Sequence, residues 1–244
     1  MSGRGLFITG TDTGVGKTVV TALLASLLAR RHISVGVMKP VATGGEERGG
    51  VLRSPDAMFF KEKLALDEPL ELINPVCFRE PLAPSIAARC EGREVDLAVL
   101  DEAYSSLLLR HEAVLIEGIG GLLVPLRGRF TVADLALRWE VPLLVVARPG
   151  LGTINHTALT ISYARSRGLR GAGFIVNASR PLHGDRAEAT STACIEELCD
   201  VKCWGIIPYS GESLAEPRAW DRLCEKARLI LTPHIADFFN VRNG

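Results

Sequence analysis

The sequence predicts an α/β fold in which a doubly wound, mostly parallel sheet carries helices on both faces. Short apolar segments, rich in β-branched residues and bounded by glycine, proline or charge, alternate along the chain with longer helical segments. The short segments are almost continuously apolar, as strands buried on both faces of a parallel sheet are. Regular alternation also implies right-handed crossovers, which place helices on each face of the sheet.

The predicted elements follow one another without internal repeats. The strands are residues 5–9, 34–38, 113–116, 142–147, 171–176 and 202–207. The helices are residues 18–31, 54–66, 96–110, 131–139, 153–167, 183–200 and 218–231. The glycine- and glutamate-rich residues 44–50 are predicted to form a mobile surface loop rather than a linker. With 244 residues, 47% of them hydrophobic, the chain is expected to form a single domain over residues 1–244.

Composition and charge argue against several classes of protein. The 28 acidic and 28 basic residues balance, so charge gives no reason to expect nucleic-acid binding. No apolar run reaches the ~18 residues of a membrane span. The start, from Met1 to Ile8, enters a strand without a basic leader. We therefore expect a cytoplasmic protein that binds neither nucleic acid nor a membrane.

Six cysteines are present, and none forms a CxxC pair. Cys194, Cys199 and Cys203 are spaced loosely for zinc ligands, and no histidine lies near them in sequence. Reduced thiols that pack as small apolar residues are the favoured interpretation, with a zinc or redox site as the alternative.

A glycine-rich segment, GTDTGVGKT, joins the first predicted strand to the first predicted helix. We interpret it as a P-loop of the pattern GxxxxGK[ST], with Gly10 as its first glycine and Gly16-Lys17-Thr18 as its end. Glycines let the backbone turn its N–H groups toward phosphate, and the helix directs its positive end at the anion. Lys17 is expected to reach the β- and γ-phosphates and Thr18 to give Mg²⁺ a hydroxyl. A chance glycine-rich turn is the alternative.

Two charged residues directly follow predicted strands, Lys39 after the second and Glu117 after the third. Ligands gather at the carboxyl ends of parallel strands, so both side chains are expected in the crevice of the P-loop. Asp56 lies between them in sequence and is the third candidate. The alternatives are a surface lysine for Lys39 and, for Asp56, an acid that complements a helix N-terminus.

The order and spacing of five motifs resemble the dethiobiotin synthetase family over residues 5–208. The motifs are GTDTGVGKT at 10–18, KPVATG at 39–44, SPDA at 54–57, IEGIGG at 116–121 and PGLGTINHTALT at 149–160. The segment INPVCFREPLAPSIAA at 73–88 and the pair Val176-Asn177 are also similar. The resemblance implies a P-loop NTPase-type fold and a ligase for which Mg²⁺ is the cofactor and ATP a co-substrate.

The reaction implied by the resemblance converts 7,8-diaminononanoate and CO₂ to dethiobiotin, with ADP and phosphate as the other products. A carbamate and a carbamic–phosphoric anhydride are the implied intermediates. Lys39, Lys17 and Thr13 are the implied catalytic residues, with Lys39 acting through its charge. A carbamate and a triphosphate are both anionic, so concentrated positive charge suits this chemistry.

The resemblance also implies binding sets. Mg²⁺ would be held by Thr18, Asp56 and Glu117. The nucleotide set is Gly14, Val15, Gly16, Lys17, Thr18, Val19, Asp56, Glu117, Gly118, Gly120, Asn177, Pro208 and Tyr209. Asn177 would contact the adenine edge, and Pro208 and Tyr209 would close over the base.

The implied substrate set is Thr13, Lys39, Thr43, Gly152, Thr153 and Asn155. Thr43 could equally be an ordinary turn residue. In the family resembled, the segment around Gly152 reaches across a dimer interface to the partner's substrate, which implies a homodimer; a helix cap formed by Thr153 is a compatible reading. Some members carry an acid where this chain has Gly14, which leaves nucleotide selectivity and substrate affinity open.

A switch ATPase of the partitioning type is the alternative function. Those related P-loop proteins carry a signature lysine early in the loop, whereas Thr11, Asp12 and Thr13 follow Gly10 here. A corrinoid amidotransferase-type ligase would need a glutaminase domain, for which the chain is too short.

Overall fold

A six-stranded sheet forms the framework of the computed structural model, which describes residues 4–182 and 184–239. The strands are β1 (Arg4–Gly10), β2 (Val35–Met38), β3 (Val41–Ala42), β4 (Glu46–Arg48), β5 (Val51–Arg53), β6 (Val76–Cys77), β7 (Ala113–Glu117), β8 (Pro125–Arg127), β9 (Phe130–Thr131), β10 (Leu143–Ala147), β11 (Gly171–Asn177) and β12 (Cys203–Ile207). The helices are α1 (Lys17–Ala29), α2 (Pro55–Leu64), α3 (Leu70–Ile73), α4 (Pro84–Cys90), α5 (Leu97–Arg110), α6 (Val132–Arg138), α7 (Thr153–Ser166), α8 (Arg186–Cys199) and α9 (Pro217–Phe239).

The main sheet has the strand order β12-β11-β10-β1-β7-β2, and every neighbouring pair is parallel. Its central strand, β1, alternates between two cores. Leu6 and Ile8 pack against α1, α2 and α9, whereas Phe7 packs on the opposite side with α5 and α6. Because both faces are covered, the strands are almost continuously apolar between their ends. The predicted doubly wound fold, with helices on both faces, is confirmed.

The position of β1 determines where a ligand can bind. In chain order the strands first fill one side of β1, with β2 and β7, and then the other, with β10, β11 and β12. The carboxyl ends of these parallel strands meet at one edge of the sheet, and the crevice opens beside the strand where the order reverses. The loops that follow β1, β2 and β7 therefore share this edge.

Residues 44–50 differ from the predicted mobile loop. They lead into a hairpin in which β4 pairs antiparallel with β5, with Glu46 opposite Arg53. Gly49 and Gly50 form its two-residue turn. Their φ angles of 62° and 77° are positive, as the tight turns of two-residue hairpins require. The exposed, charged side chains of β4 gave no strand-like pattern, so sequence reasoning missed this hairpin.

Helix ends and short elements were predicted less well than the main elements. The helices α3 and α4 were not predicted, and α9 continues to Phe239, past Pro233, instead of ending at residue 231. The helix predicted for 183–200 begins at Arg186, and its expected first residue, His183, lies outside the described residues, as do Met1 to Gly3. Over the described ranges, no helix combines the length and apolar character that crossing a membrane requires.

The cysteines are all free thiols. Within the described ranges, no group of three or more histidine, cysteine, aspartate or glutamate side chains could hold a metal ion. Cys199 and Cys224 are buried in apolar surroundings, which is the packing role favoured from the sequence.

Burial predicts how strongly the truncation of a leucine destabilises the fold. Leu24 on α1 is fully buried, so Leu24→Ala is expected to lower the free energy of unfolding by about 2–5 kcal/mol. Leu109 on α5 is 88% exposed, so Leu109→Ala is the matched control and is expected to change it by less than about 0.5 kcal/mol. Urea denaturation measures both, and equal losses would contradict the described burial.

Candidate active site

The P-loop runs from the end of β1 to the start of α1 and is braced by β11. Gly16 caps α1 with φ of 88°, in the left-handed region that favours glycine. A side chain at this position would also collide with the amide of Asn177, whose Nδ2 donates to the Val15 carbonyl oxygen at 3.0 Å. The helix begins at Lys17, so its free N–H groups face the loop, as an anion site requires.

The register of the P-loop pattern needs one correction. Five residues separate Gly10 from Gly16, whereas GxxxxGK[ST] allows four, so Thr11 occupies the place of the first glycine. Our assignment of Gly10 to that place was wrong. Gly10 instead permits a close approach, because a Cβ there would come within 3.0 Å of Lys17 Nζ. The end of the pattern, Gly16-Lys17-Thr18, is intact, and the phosphate-loop interpretation rests on it.

Lys39 lies at the centre of a compact charged cluster. Its Nζ is 2.6 Å from Glu117 Oε1, 2.6 Å from Asp56 Oδ2 and 3.4 Å from the Gly118 carbonyl oxygen. Thr18 Oγ1 lies 3.0 Å from Asp56 Oδ1 and 3.0 Å from Glu117 Oε1. The structure thus brings together four predicted residues from α1, α2 and the ends of β2 and β7.

Burial and charge compete within this cluster. Burial alone would lower the pKa of Lys39, which is 3% exposed, but the carboxylates of Glu117 and Asp56 more than offset it, so the pKa rises. Burial would raise the pKa of Asp56, yet Lys39 draws it below its ordinary value. For Glu117, 1% exposed, burial prevails and the pKa is raised. Lys39 is therefore held as an ammonium group.

Lys17 carries the second positive charge of the site. Its Nζ donates to the Asp12 carbonyl oxygen at 3.1 Å, and burial lowers its pKa. A buried ammonium with few partners is suited to receive the oxygens of a phosphate, because each new charge-assisted hydrogen bond replaces lost hydration.

The residues predicted to bind Mg²⁺ fit that ion. Thr18, Asp56 and Glu117 offer three oxygen donors close to one another, the donor type that Mg²⁺ prefers. Glu117 Oε2 is buried and has no hydrogen-bond partner in the described part of the chain. Two carboxylates and one hydroxyl leave coordination positions for water and phosphate oxygens, as is usual for Mg²⁺ at a nucleotide.

The glycine-rich turn after β7 packs against the P-loop. Gly120 accepts a hydrogen bond at its carbonyl oxygen from Gly10 N at 3.3 Å. A Cβ on Gly120 would lie 3.6 Å from Thr13 Oγ1, and one on Gly121 would lie 3.2 Å from the Gly10 carbonyl oxygen. The predicted residues Thr13 and Gly120 are thus neighbours at the rim of the crevice.

Other predicted nucleotide residues lie further along the same edge. Asn177 ends β11 and is buried, while Pro208 and the exposed Tyr209 follow β12. Val19 on α1 packs partly buried against the core. Gly14 has φ of 75° and nothing within 4 Å of a Cβ, so an acid there would have room but a strained backbone.

The remaining predicted substrate residues lie apart from the charged cluster. Gly152, not Thr153, caps α7, and no side chain bonds to that cap, so the expected Thr153 cap is wrong. Thr153 Oγ1 is buried and has no hydrogen-bond partner within the described ranges. Asn155 is exposed, and Thr43 is half-buried directly after β3. No hydrogen bond between described side chains joins these four residues to Lys39.

Comparison with known proteins identifies the family. A family model described as an AAA domain matches residues 4–217. The chain is 52% identical to an ATP-dependent dethiobiotin synthetase of Anaeromyxobacter sp. (strain K), over 88% of this chain and 95% of that protein. It is 42% identical to the enzyme of that name from Bacillus licheniformis, over 84% and 86%. The chain belongs to the ATP-dependent dethiobiotin synthetase family.

Solved structures confirm the P-loop α/β fold of this dethiobiotin synthetase family member. The MinC:MinD cell division complex of Aquifex aeolicus superposes with a TM-score of 0.58 at 16% identity, covering 99% of this chain and 98% of that one. A ParA family ATPase of Chlorobium tepidum gives 0.53 at 14% identity, covering 99% of both chains. At such low identity, the likeness concerns the fold alone.

Two residues, Ser54 and Asn74, support the site in roles that were not predicted from the sequence. Ser54 caps α2 by accepting a hydrogen bond from Ala57 N at 3.3 Å, which sets Asp56 in the first turn of the helix. The order Ser-Pro-Asp is a recognised helix start and could have revealed this role. Asn74 was also missed; its amide contacts the backbone of Lys39.

The cluster predicts how loss of one hydroxyl affects metal binding. Thr18→Val is expected to raise the Mg²⁺ concentration needed for half-maximal ATP binding by roughly tenfold, because a ligand worth about 1.5 kcal/mol is removed. Thr21→Val on the same helix is the control, since the buried Thr21 hydroxyl has no partner in the described part of the chain. Mg²⁺ titration of ATP binding tests this, and an unchanged midpoint for Thr18→Val would contradict the assignment.

Proposed function

We propose that this protein uses ATP to convert 7,8-diaminononanoate and CO₂ to dethiobiotin, a step of biotin biosynthesis, as a ligase that forms C–N bonds. The observation that carries the proposal is the cluster of Lys39, Asp56, Glu117 and Thr18 beside the P-loop. Together with Lys17 of the P-loop, it gathers two ammonium groups and a set of metal ligands where two anions must meet. Membership of the dethiobiotin synthetase family supports the same reaction.

The proposed chemistry has three steps. One amine of the substrate attacks CO₂ and loses a proton, which gives a carbamate. A carbamate oxygen then attacks the γ-phosphorus of ATP, and ADP leaves. The second amine finally attacks the carbonyl carbon of the mixed anhydride and loses a proton, phosphate leaves with the C–O bond electrons, and the ureido ring closes.

Lys39 acts in these steps through its charge. Its pKa is raised, so it remains an ammonium group and is a poor nucleophile. Placed between the ends of β2 and β7, it can offset the charge of the carbamate and of the phosphoryl group in transfer. Lys17, whose Nζ contacts the Asp12 carbonyl oxygen within the P-loop, would offset charge on the β- and γ-phosphates. Thr18, Asp56 and Glu117 would hold Mg²⁺, which would neutralise charge on the phosphate oxygens when it is bound.

Positioning of substrate and nucleotide is assigned to residues along the same edge. Thr13 and Thr43 would hydrogen-bond the amine or carbamate end, and Gly118 and Gly120 allow close approach of the phosphates. Asn177 would contact the adenine, with Pro208 and Tyr209 closing over it. Support comes from the location of these residues at the end of β11 and in the segments that follow β1, β3, β7 and β12.

A homodimer with shared active sites is part of the proposal. The start of α7 carries an exposed apolar side chain, Leu151, which is 91% exposed, and the exposed amide of Asn155. With Gly152 and Thr153 they would reach the carboxylate end of the partner's substrate, for which free helix N–H groups are suited.

The proposal also includes a single domain and a cytoplasmic location. The six-stranded main sheet that runs through the described residues supports the first, and the need for ATP supports the second.

The absence of a loop lysine weighs against the switch ATPase. The residues from Thr11 to Gly14 contain none, whereas the partitioning ATPases use one across their dimer. Lys39, close to the proposed metal ligands, suits phosphoryl transfer to an anionic substrate.

The proposed function predicts that ADP release depends on the diamine. Purified protein is incubated with Mg²⁺, ATP and bicarbonate, with and without 7,8-diaminononanoate, and ADP and product mass are measured. We expect ADP release only with the diamine, together with the mass of dethiobiotin, because no carbamate forms without the amine. ADP release at the same rate without diamine would favour the switch ATPase instead.

A further inference from the structure

At Lys39 the backbone has a neighbouring strand of the main sheet on one side only. Lys39 follows directly on β2, which is an edge strand paired only with β7. The next residue, Pro40, has no N–H to donate, so the backbone cannot continue the ladder in the usual way. An edge residue of this kind needs a partner from outside the sheet, because unpaired backbone groups are costly when buried.

The end of α3 supplies that partner. Lys39 N donates to the Ile73 carbonyl oxygen at 2.6 Å, and Asn74 Nδ2 donates to the Lys39 carbonyl oxygen at 2.7 Å. The same Nδ2 lies 3.0 Å from the Val76 carbonyl oxygen, so both amide hydrogens are engaged. The backbone N–H and the backbone carbonyl oxygen of Lys39 are therefore both hydrogen-bonded to residues 73–74.

We propose that Asn74 is a positioning residue for the reaction, which fixes the backbone of Lys39 so that its ammonium group stays between Asp56 and Glu117. The inference rests on the proposed function for its kinetic consequence, but its structural part does not. Asn74 lies 56 residues beyond Thr18, the last residue of the P-loop, and its amide donates to the carbonyl oxygens of Lys39 and Val76.

The residue type suits this task. An amide Nδ2 has two hydrogens and can donate to two carbonyl oxygens at once, which a hydroxyl or a carboxylate cannot do. Pro75 follows directly and disfavours a helical backbone at Asn74, which adopts φ −137° and ψ 85° where α3 ends. The side chain is thereby directed back to the carbonyl groups of Lys39 and Val76.

Reactivity of Lys39 toward an amine reagent tests the structural part without any enzyme activity. Brief acetylation with acetic anhydride, read by mass spectrometry, compares Lys39, 3% exposed, with the exposed Lys202 in each protein. In Asn74→Ala we expect the ratio of Lys39 to Lys202 modification to rise severalfold above wild type. Glu68→Ala is the control, because it removes the contact of Glu68 with His111 Nε2 ahead of the same helix without touching Lys39.

Kinetics test the catalytic part. In Asn74→Ala, and in the isosteric Asn74→Asp, we expect kcat for diamine-dependent ADP release to fall roughly ten- to a hundredfold, since misplacement by about 1 Å costs that much. The Kd for Mg²⁺-ATP and the number of ATP sites per chain should stay within about twofold. Glu68→Ala should lower Tm but keep kcat within about twofold of wild type.

The outcomes separate the two proposals. Unchanged Lys39 protection and unchanged kcat in Asn74→Ala would overturn the positioning role. So would a fall in ATP sites that matches the fall in kcat, or an equal loss in Glu68→Ala, because both indicate general unfolding. If wild type shows no diamine-dependent turnover, the proposed function fails, and Lys39 protection alone then decides whether Asn74 holds the lysine.

Discussion

The buried contact of Lys39 with Asp56 and Glu117 is the constraint on which the site depends. An ammonium group that is 3% exposed is stable only where carboxylates replace its lost hydration, and two lie within 2.6 Å. The same two carboxylates, with Thr18, form the proposed Mg²⁺ site. One lysine thereby ties together the ends of β2 and β7 and the first turn of α2.

The fold explains why these groups meet. Parallel strands deliver every carboxyl end to one edge, and the central place of β1 between β7 and β10 sets the P-loop beside Lys39 and Glu117. Local caps complete the arrangement: Ser54 starts α2 so that Asp56 points to the cluster, and Asn177 braces Gly16 through the Val15 carbonyl oxygen. The general P-loop fold is shared with the MinD and ParA structures.

Strands and site residues that a sequence pattern marks were predicted, whereas features that depend on contacts between distant residues were missed. The main strands are continuous apolar runs and were found, as were Lys39 and Glu117, because residues after buried strands must share an edge. The hairpin of β4 and β5 was missed, since its charged side chains face solvent and only a Gly-Gly turn marks it. Asn74 was missed because its role arises from contact with a residue 35 positions away. Thr153 resembled a cap, yet Gly152 holds that position.

Replacement of the central lysine tests the account most directly. Lys39→Ala is compared with Lys202→Ala, an exposed lysine far along the chain, for diamine-dependent turnover and for the Kd of Mg²⁺-ATP. The account predicts that Lys39→Ala nearly abolishes turnover while ATP binding stays largely intact, because the P-loop keeps Lys17 and its backbone donors. Near-native turnover in Lys39→Ala would remove this lysine from the mechanism and contradict the account.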